Sequence, residues 1–191
     1  MEELDRKFLR LTLPLPESVN AYLNHRVSYR NGKPIVVAYK TQEANQFEKE
    51  AQSIISSAIK KQCWDLPSKD TWVKVEAIWY VRNTISDFSN LWKQTLDCMN
   101  GLVYADDRKV IESTVNGFVD TKNPRVELNI YTLQKRGIFL SQNHLDGFKD
   151  NNCNECAKNI KTCRTLKEFL DNKITENIVL VDNMCLKKRT K

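Results

Sequence analysis

Apolar positions alternate with polar ones in some stretches of this chain and recur at helical spacing in others, and that difference predicts its elements. Between Lys7 and Leu13, the leucines at 9, 11 and 13 share one face, and Pro14 and Pro16 close the run, which reads as a strand. Ser18 to Tyr22 is a loop. Val27 to Tyr39 sets Asn31-Gly32 between two extended arms, and that dipeptide suits the left-handed backbone of a tight hairpin turn. From Thr41 to about Gln62, the residues Ala44, Phe47, Ala51, Ile54, Ile55 and Ala58 make one helical stripe, which Leu66-Pro67-Ser68 breaks.

Trp72 to Arg82 alternates again, with Val73, Val75, Ala77, Trp79 and Val81 on one face and Lys74 and Glu76 on the other. A helix follows Asp87, with Leu91, Trp92, Leu96 and Met99 as its apolar side and Gly101 as its C-terminal stop. Lys109 to Val115 and Arg125 to Thr132 are two more strands, joined by a turn around Asp120 to Pro124. The resulting order, β-ββ-α-β-α-β-β, has more hairpins than long crossovers. It predicts an α+β domain whose mixed or mostly antiparallel sheet has its helices packed on one side.

The character of the chain changes after about Gln134: all four tryptophans precede it and four of the six cysteines follow it. The expected division is one domain over residues 1–134 and a small extension over 135–191. Thr165 starts a helix there, with Glu168 three residues on as a capping box and Leu166, Phe169, Leu170 and Ile174 as its apolar side. A short strand from Ile178 to Val181 follows. Lys and Arg outnumber Asp and Glu by 18 to 17 in residues 1–134 and by 12 to 7 in 135–191, so most of the net charge of +6 resides in the extension. A basic bias of this size suits a nucleic-acid partner, or simply a solvated tail.

A 41% hydrophobic and 28% charged composition is that of a globular chain, and no apolar run approaches a membrane span. The opening MEELDRKFLRLTLPL has acidic residues where a secretory signal is basic, so a cytoplasmic protein is expected. In that compartment six cysteines are free thiols or metal ligands, not a disulfide framework. Cys153-Asn154-Glu155-Cys156 has zinc-ligand spacing, and Cys163 with Cys185 or His144 would complete a four-ligand zinc site. Reduced cysteines in a small helical extension account for the same residues.

Asp87 stands at the mouth of the second helix, Lys93 lies on it, and Asp106-Asp107 begin the next strand. Carboxylates from two elements with a lysine between them suit Mg²⁺ held against a phosphodiester, because hard cations choose oxygen donors and Mg²⁺ keeps several waters. Spacing alone favours a plainer account: a solvent-facing Lys93–Asp97 pair, with Asp87 and Asp106-Asp107 as turn acids.

The motifs in order change that balance. PLPESVNAY at residues 14–22 resembles a Pro-rich, Ser-x-Asn-x-Tyr opening after a first strand. Asp87-Phe88-Ser89-Asn90-Leu91-Trp92-Lys93 resembles Asp-x-Asp-Asn-Leu-x-Lys, and Leu96-Asp97-Cys98-Met99-Asn100-Gly101 resembles Leu-Asp-x-Leu-Asn-Gly. Val103 to Val110 resembles an Asp-Asp strand start. Together these resemble the RusA family of phage and bacterial Holliday-junction resolvases, from about Leu11 to Thr132.

The resemblance implies a homodimer that cuts four-way junctions or other branched DNA by paired nicks with Mg²⁺ or Mn²⁺, in the cytoplasm of a bacterial or phage-infected cell. It implies that Asp87 and Asp107 are catalytic metal ligands and that Lys93 is a catalytic lysine. The family's second aspartate is Ser89 here, a weak ligand without charge, so Asp106, Asp97 or water held by Ser89 and Asn90 is expected to compensate. The alternative is a weakened or inactive junction-binding protein, and a third reading is a replication or packaging adaptor acting through the tail. Arg26, Arg30, Lys33, Lys40, Arg82 and Arg108, in loops or at strand ends, are the candidate phosphate contacts.

Overall fold

In the computed structural model, which describes residues 8–84, 87–174, 178–179, 184–186 and 188–189, the first leucine alternation forms β1 (Phe8–Pro14). Leu9, Leu11 and Leu13 are buried, and the residues between them face out. β2 (Leu23–Arg30) and β3 (Lys33–Lys40) make a separate two-stranded hairpin. Asn31 and Gly32 turn it with φ of 51° and 75°, both left-handed, as a tight hairpin turn demands. Helix α1 (Gln42–Gln62) starts where the Thr41 hydroxyl accepts the Ala44 N–H at 3.2 Å.

β4 (Trp72–Val81) alternates without interruption between buried and half-buried positions. After it come α2 (Ser89–Met99), a 3-10 turn at Asp107–Lys109, β5 (Val110–Val119) and β6 (Arg125–Leu133). The main sheet has the order β1-β6-β4-β5, mixed as expected, with β1 antiparallel to β6 and β4 parallel to β5. The two strands joined by the turn around Asp120 are therefore not neighbours: β4 lies between them. The reason is burial. β4 has the most enclosed pattern and takes the centre, whereas β5 leaves Val115, Phe118 and Val119 exposed at an edge. At the opposite edge, the Gln62 amide makes both bonds to the Arg10 backbone, at 2.9 and 2.8 Å, and so covers part of β1.

Phe47, Ala51 and Ile55 of α1 and Leu91, Trp92, Cys98 and Met99 of α2 pack on the leucine–valine face of the sheet. The other face carries a polar lattice: Tyr131 donates to Glu76 at 3.0 Å, Tyr80 donates to Glu127 at 3.3 Å, and the Arg125 guanidinium lies 3.5 Å over the Tyr80 ring. Two indoles pin the helix layer to the sheet. Trp79 of β4 and Trp92 of α2 both donate to the Thr114 hydroxyl of β5 at 3.2 Å, with their rings edge to face.

The chain divides into two units, Met1–Thr132 and Leu133–Lys191. The second unit has its own core of Ile138, Phe139, Leu145, Phe148, Leu166 and Phe169. Its helix α3 (Gln142–Asn152), capped by Ser141, has no counterpart in the sequence reading. Helix α4 (Arg164–Leu170) begins one residue before Thr165, so Thr165 is a buried helical residue and not a cap; Glu168 pairs instead with Arg164 at 2.9 Å. Leu170 and Ile174 are exposed, because the helix stops before Ile174 can reach the core. A short pair, β7 (Ile178–Val179) with β8 (Met184–Cys185), follows; residues 180 and 181 of the expected strand lie outside the described residues.

Replacing Thr114 with Val leaves two indole N–H groups without their acceptor. Because β5 is an edge strand that water reaches, we expect a loss of about 1–2 kcal/mol in unfolding free energy, read from urea denaturation, while Thr114→Ser stays near wild type.

Candidate active site

The segment before α2 is built around one carboxylate. Asp87 accepts the Ser89 N–H at 2.9 Å, the Ser89 hydroxyl at 2.8 Å and the Asn90 side-chain amide at 3.1 Å. It thus satisfies the first turn of a helix, whose N-terminus favours negative charge. Phe88 anchors it from below: its ring stacks on Trp79, with centroids 6.3 Å apart, and covers Gly117 of β5. A Cβ at Gly117 would collide with that ring.

Lys93 lies one turn along α2 and pairs with Asp97 at 2.8 Å, the pairing that the plainer account of the sequence expects. The Asp97 hydrogen bond raises the Lys93 pKa most, with smaller contributions from the charges of Asp97, Asp107 and Tyr22. Asp107 and Tyr22 are therefore within electrostatic reach of the ammonium. The chain returns to that position because the link after α2 folds back on it. Gly101 has φ 78°, the Tyr104 hydroxyl donates to the Leu96 carbonyl at 2.7 Å, and the Trp64 indole donates to the Val103 carbonyl at 3.0 Å.

Asp107 opens the 3-10 turn, exposed, and its carboxylate accepts no hydrogen bond from a described residue. Asp106 is differently placed. Arg108 donates to both of its oxygens at 2.6 to 3.0 Å, which lowers its pKa to about 2. Arg108 is therefore a partner of Asp106. The Ser89 hydroxyl likewise donates its hydrogen bond to Asp87.

Among the described residues, no group of three or more His, Cys, Asp or Glu side chains is arranged to hold a metal ion. The chemistry of the remaining donors still fits a hard cation: Asp87 and Asp107 offer carboxylate oxygens, and Mg²⁺ completes its octahedron with water when only one or two carboxylates are supplied. Asp106 would reach a cation only by giving up Arg108, which donates to both its oxygens. The four thiols named as a zinc set are not arranged as such a group either, although Cys156, Cys163 and Cys185 all lie within electrostatic reach of Cys153. Cys153, Cys163 and Cys185 pack against the phenylalanine core, and burial raises the Cys153 thiol. Cys156 accepts the Arg189 N–H at 3.5 Å, and His144 Nδ1 accepts the Leu140 N–H at 3.3 Å.

Of the expected phosphate contacts, Arg26, Arg30, Lys33 and Lys40 all lie on the hairpin, with Lys40 paired to Glu48 at 2.6 Å. Arg82 is exposed just beyond β4. Sequence reasoning missed Gln94. This buried amide accepts the Glu17 N–H at 2.8 Å and donates to the Ala44 carbonyl at 3.2 Å, so it ties the first loop and α1 to the site helix. A polar residue beside Leu91 on an apolar helix face was the available signal. Tyr22 was legible only as part of a loop motif.

The family model described as Endodeoxyribonuclease RusA matches residues 16–131. The chain belongs to the RusA family. Its first unit is accordingly a nuclease fold of the Holliday-junction-resolving class, and Asp87, Lys93, Asp106 and Asp107 all fall within the matched residues. No curated protein sequence matches the chain.

In this RusA-family chain the Phe88 ring, next to Asp87, lies against Gly117. Gly117→Val should drive the Phe88 ring off Trp79, destabilise the fold by about 1–3 kcal/mol and shift tryptophan emission to the red. Unchanged emission and stability would show that the ring makes no such contact.

Proposed function

We propose that this chain is a metal-dependent endonuclease that resolves Holliday junctions or related branched DNA by paired nicks. In this reading residues 1–134 carry the nuclease and residues 135–191 are an appended basic unit. Two copies act together, one on each of two strands, in the cytoplasm. What supports it is the family match over residues 16–131, together with a helix that starts at Asp87 and carries Lys93 within electrostatic reach of the unengaged Asp107.

Asp87 and Asp107 would hold Mg²⁺ or Mn²⁺. When bound, such an ion lowers the pKa of a water and offsets charge on the leaving oxygen. The protein's own groups do the rest. Lys93 remains protonated and donates to a non-bridging phosphate oxygen once it leaves Asp97. That exchange costs little, since an exposed i,i+4 pair is worth ~0.3–0.5 kcal/mol. Ser89 holds Asp87 in place and adds no charge, which argues for a weaker metal site than one with a further carboxylate.

The three donors already on Asp87, and the engagement of Asp106 by Arg108, favour a second reading: a junction-binding protein with little or no cleavage. A labelled synthetic four-way junction separates the two. With Mg²⁺ or Mn²⁺ the wild type is expected to give symmetric nicks, and Asp107→Asn to lower their rate roughly a hundredfold or more. Ser89→Asp should raise the rate and lower the metal concentration required. Tight junction binding without nicks in all three proteins would establish the second reading.

A further inference from the structure

The β2–β3 hairpin stands apart from the nuclease sheet; neither of its strands joins it. From Leu23 to Lys40 it carries Arg26, Arg30, Lys33 and Lys40 and no acidic residue. Its register pairs Val27 with Val36 and Tyr29 with Pro34 on one face, and Arg26 with Val37 and Arg30 with Lys33 on the other. The first face is open: Tyr29 is 74% exposed, Val36 70% and Val27 62%. On the second, the Arg26 guanidinium lies 5.7 Å from the Tyr39 ring centroid.

The root of this ribbon lies beside the acids. Thr41 N–H donates to the Tyr22 carbonyl at 2.9 Å and closes the base, while Val19 N–H donates to the Asn90 carbonyl in the first turn of α2 at 2.8 Å. Eight residues per arm extend about 26 Å from that root, more than the roughly 12 Å width of a major groove.

We propose that this hairpin enters the open centre of branched DNA, with Tyr29, Val27 and Val36 against unstacked bases and Arg26, Arg30 and Lys33 on the flanking phosphates. The inference rests on the junction reading above. Charge selects the occupant: an acid-free basic ribbon complements a polyanion, whereas the same ribbon of a second copy would meet it with like charge. At a branch point the bases are already partly unpaired, so aromatic and apolar side chains stack on them without opening a duplex.

The test uses the full-length chain with 2-aminopurine at the branch point of a four-way junction, and the same label in a linear duplex. Wild-type binding should raise emission in the junction and not in the duplex. Tyr29→Ala combined with Val36→Ala should keep the melting temperature, lose the emission rise, and lower the preference for junction over duplex roughly tenfold. Arg30→Ala with Lys33→Ala should weaken binding to both DNAs, flatten the salt dependence and keep the emission rise at saturation. An unchanged rise in the Tyr29 double variant overturns the inference. So does a dimer of wild type that becomes a monomer in that variant on light scattering, since the apolar face would then be an interface between copies. If the wild type binds junction no more tightly than duplex, the junction reading itself fails and the hairpin inference falls with it.

Discussion

One hydroxyl oxygen ties the site helix of the nuclease unit to its sheet. Thr114 accepts two indole N–H groups, one from the centre of the sheet and one from the helix that crosses over it. Apolar packing alone is non-directional and would let α2 slide or rotate against the sheet. A hydrogen bond fixes both distance and angle. Asp87 begins that helix and Asp107 lies on the chain returning from it, so this polar joint at the rim of the core anchors the element that carries the one and leads to the other. The parallel β4–β5 pair needs that same helix, since parallel neighbours require a crossing element between them.

The charged groups around the site are mostly occupied by weak local partners. Asp87 is held by its own helix turn, Asp106 by Arg108, and Lys93 by Asp97. Each pairing keeps a side chain in one rotamer region without burying it. None is strong enough to prevent exchange for a better partner, because exposed pairs in water are individually weak. Asp107, by contrast, has no hydrogen-bonding partner among the described residues. A site of this kind keeps its charges near one another without collapsing them into a single salt bridge.

Much of the first unit was legible because its elements have strong periods. The alternation in β1 and β4, the α1 stripe and the Asn-Gly turn all read directly into burial and backbone sign. Strand order was not legible, since the periodicity of β5 and β6 says nothing about which strand fills the space between them. Asp87, Lys93 and Asp107 could be named from motif order, but the capture of Asp106 by Arg108 depends on a local turn. Gln94 and the Phe88–Gly117 contact involve residues distant in sequence that meet only in the folded chain. In the second unit the weak helical stripe misled: Cys163, not Thr165, precedes α4, and Glu168 turns back to Arg164.

The hydrogen bond that closes the hairpin at Tyr22 and Thr41 has an evolutionary consequence. Insertions or deletions between the root and the Asn31-Gly32 tip need not disturb the core, because neither arm belongs to the main sheet. They cannot be of arbitrary size, however. One residue added to each arm would exchange the two faces beyond that point, whereas two added to each would preserve them. The reach of this ribbon is therefore expected to vary among descendants in paired steps on both arms.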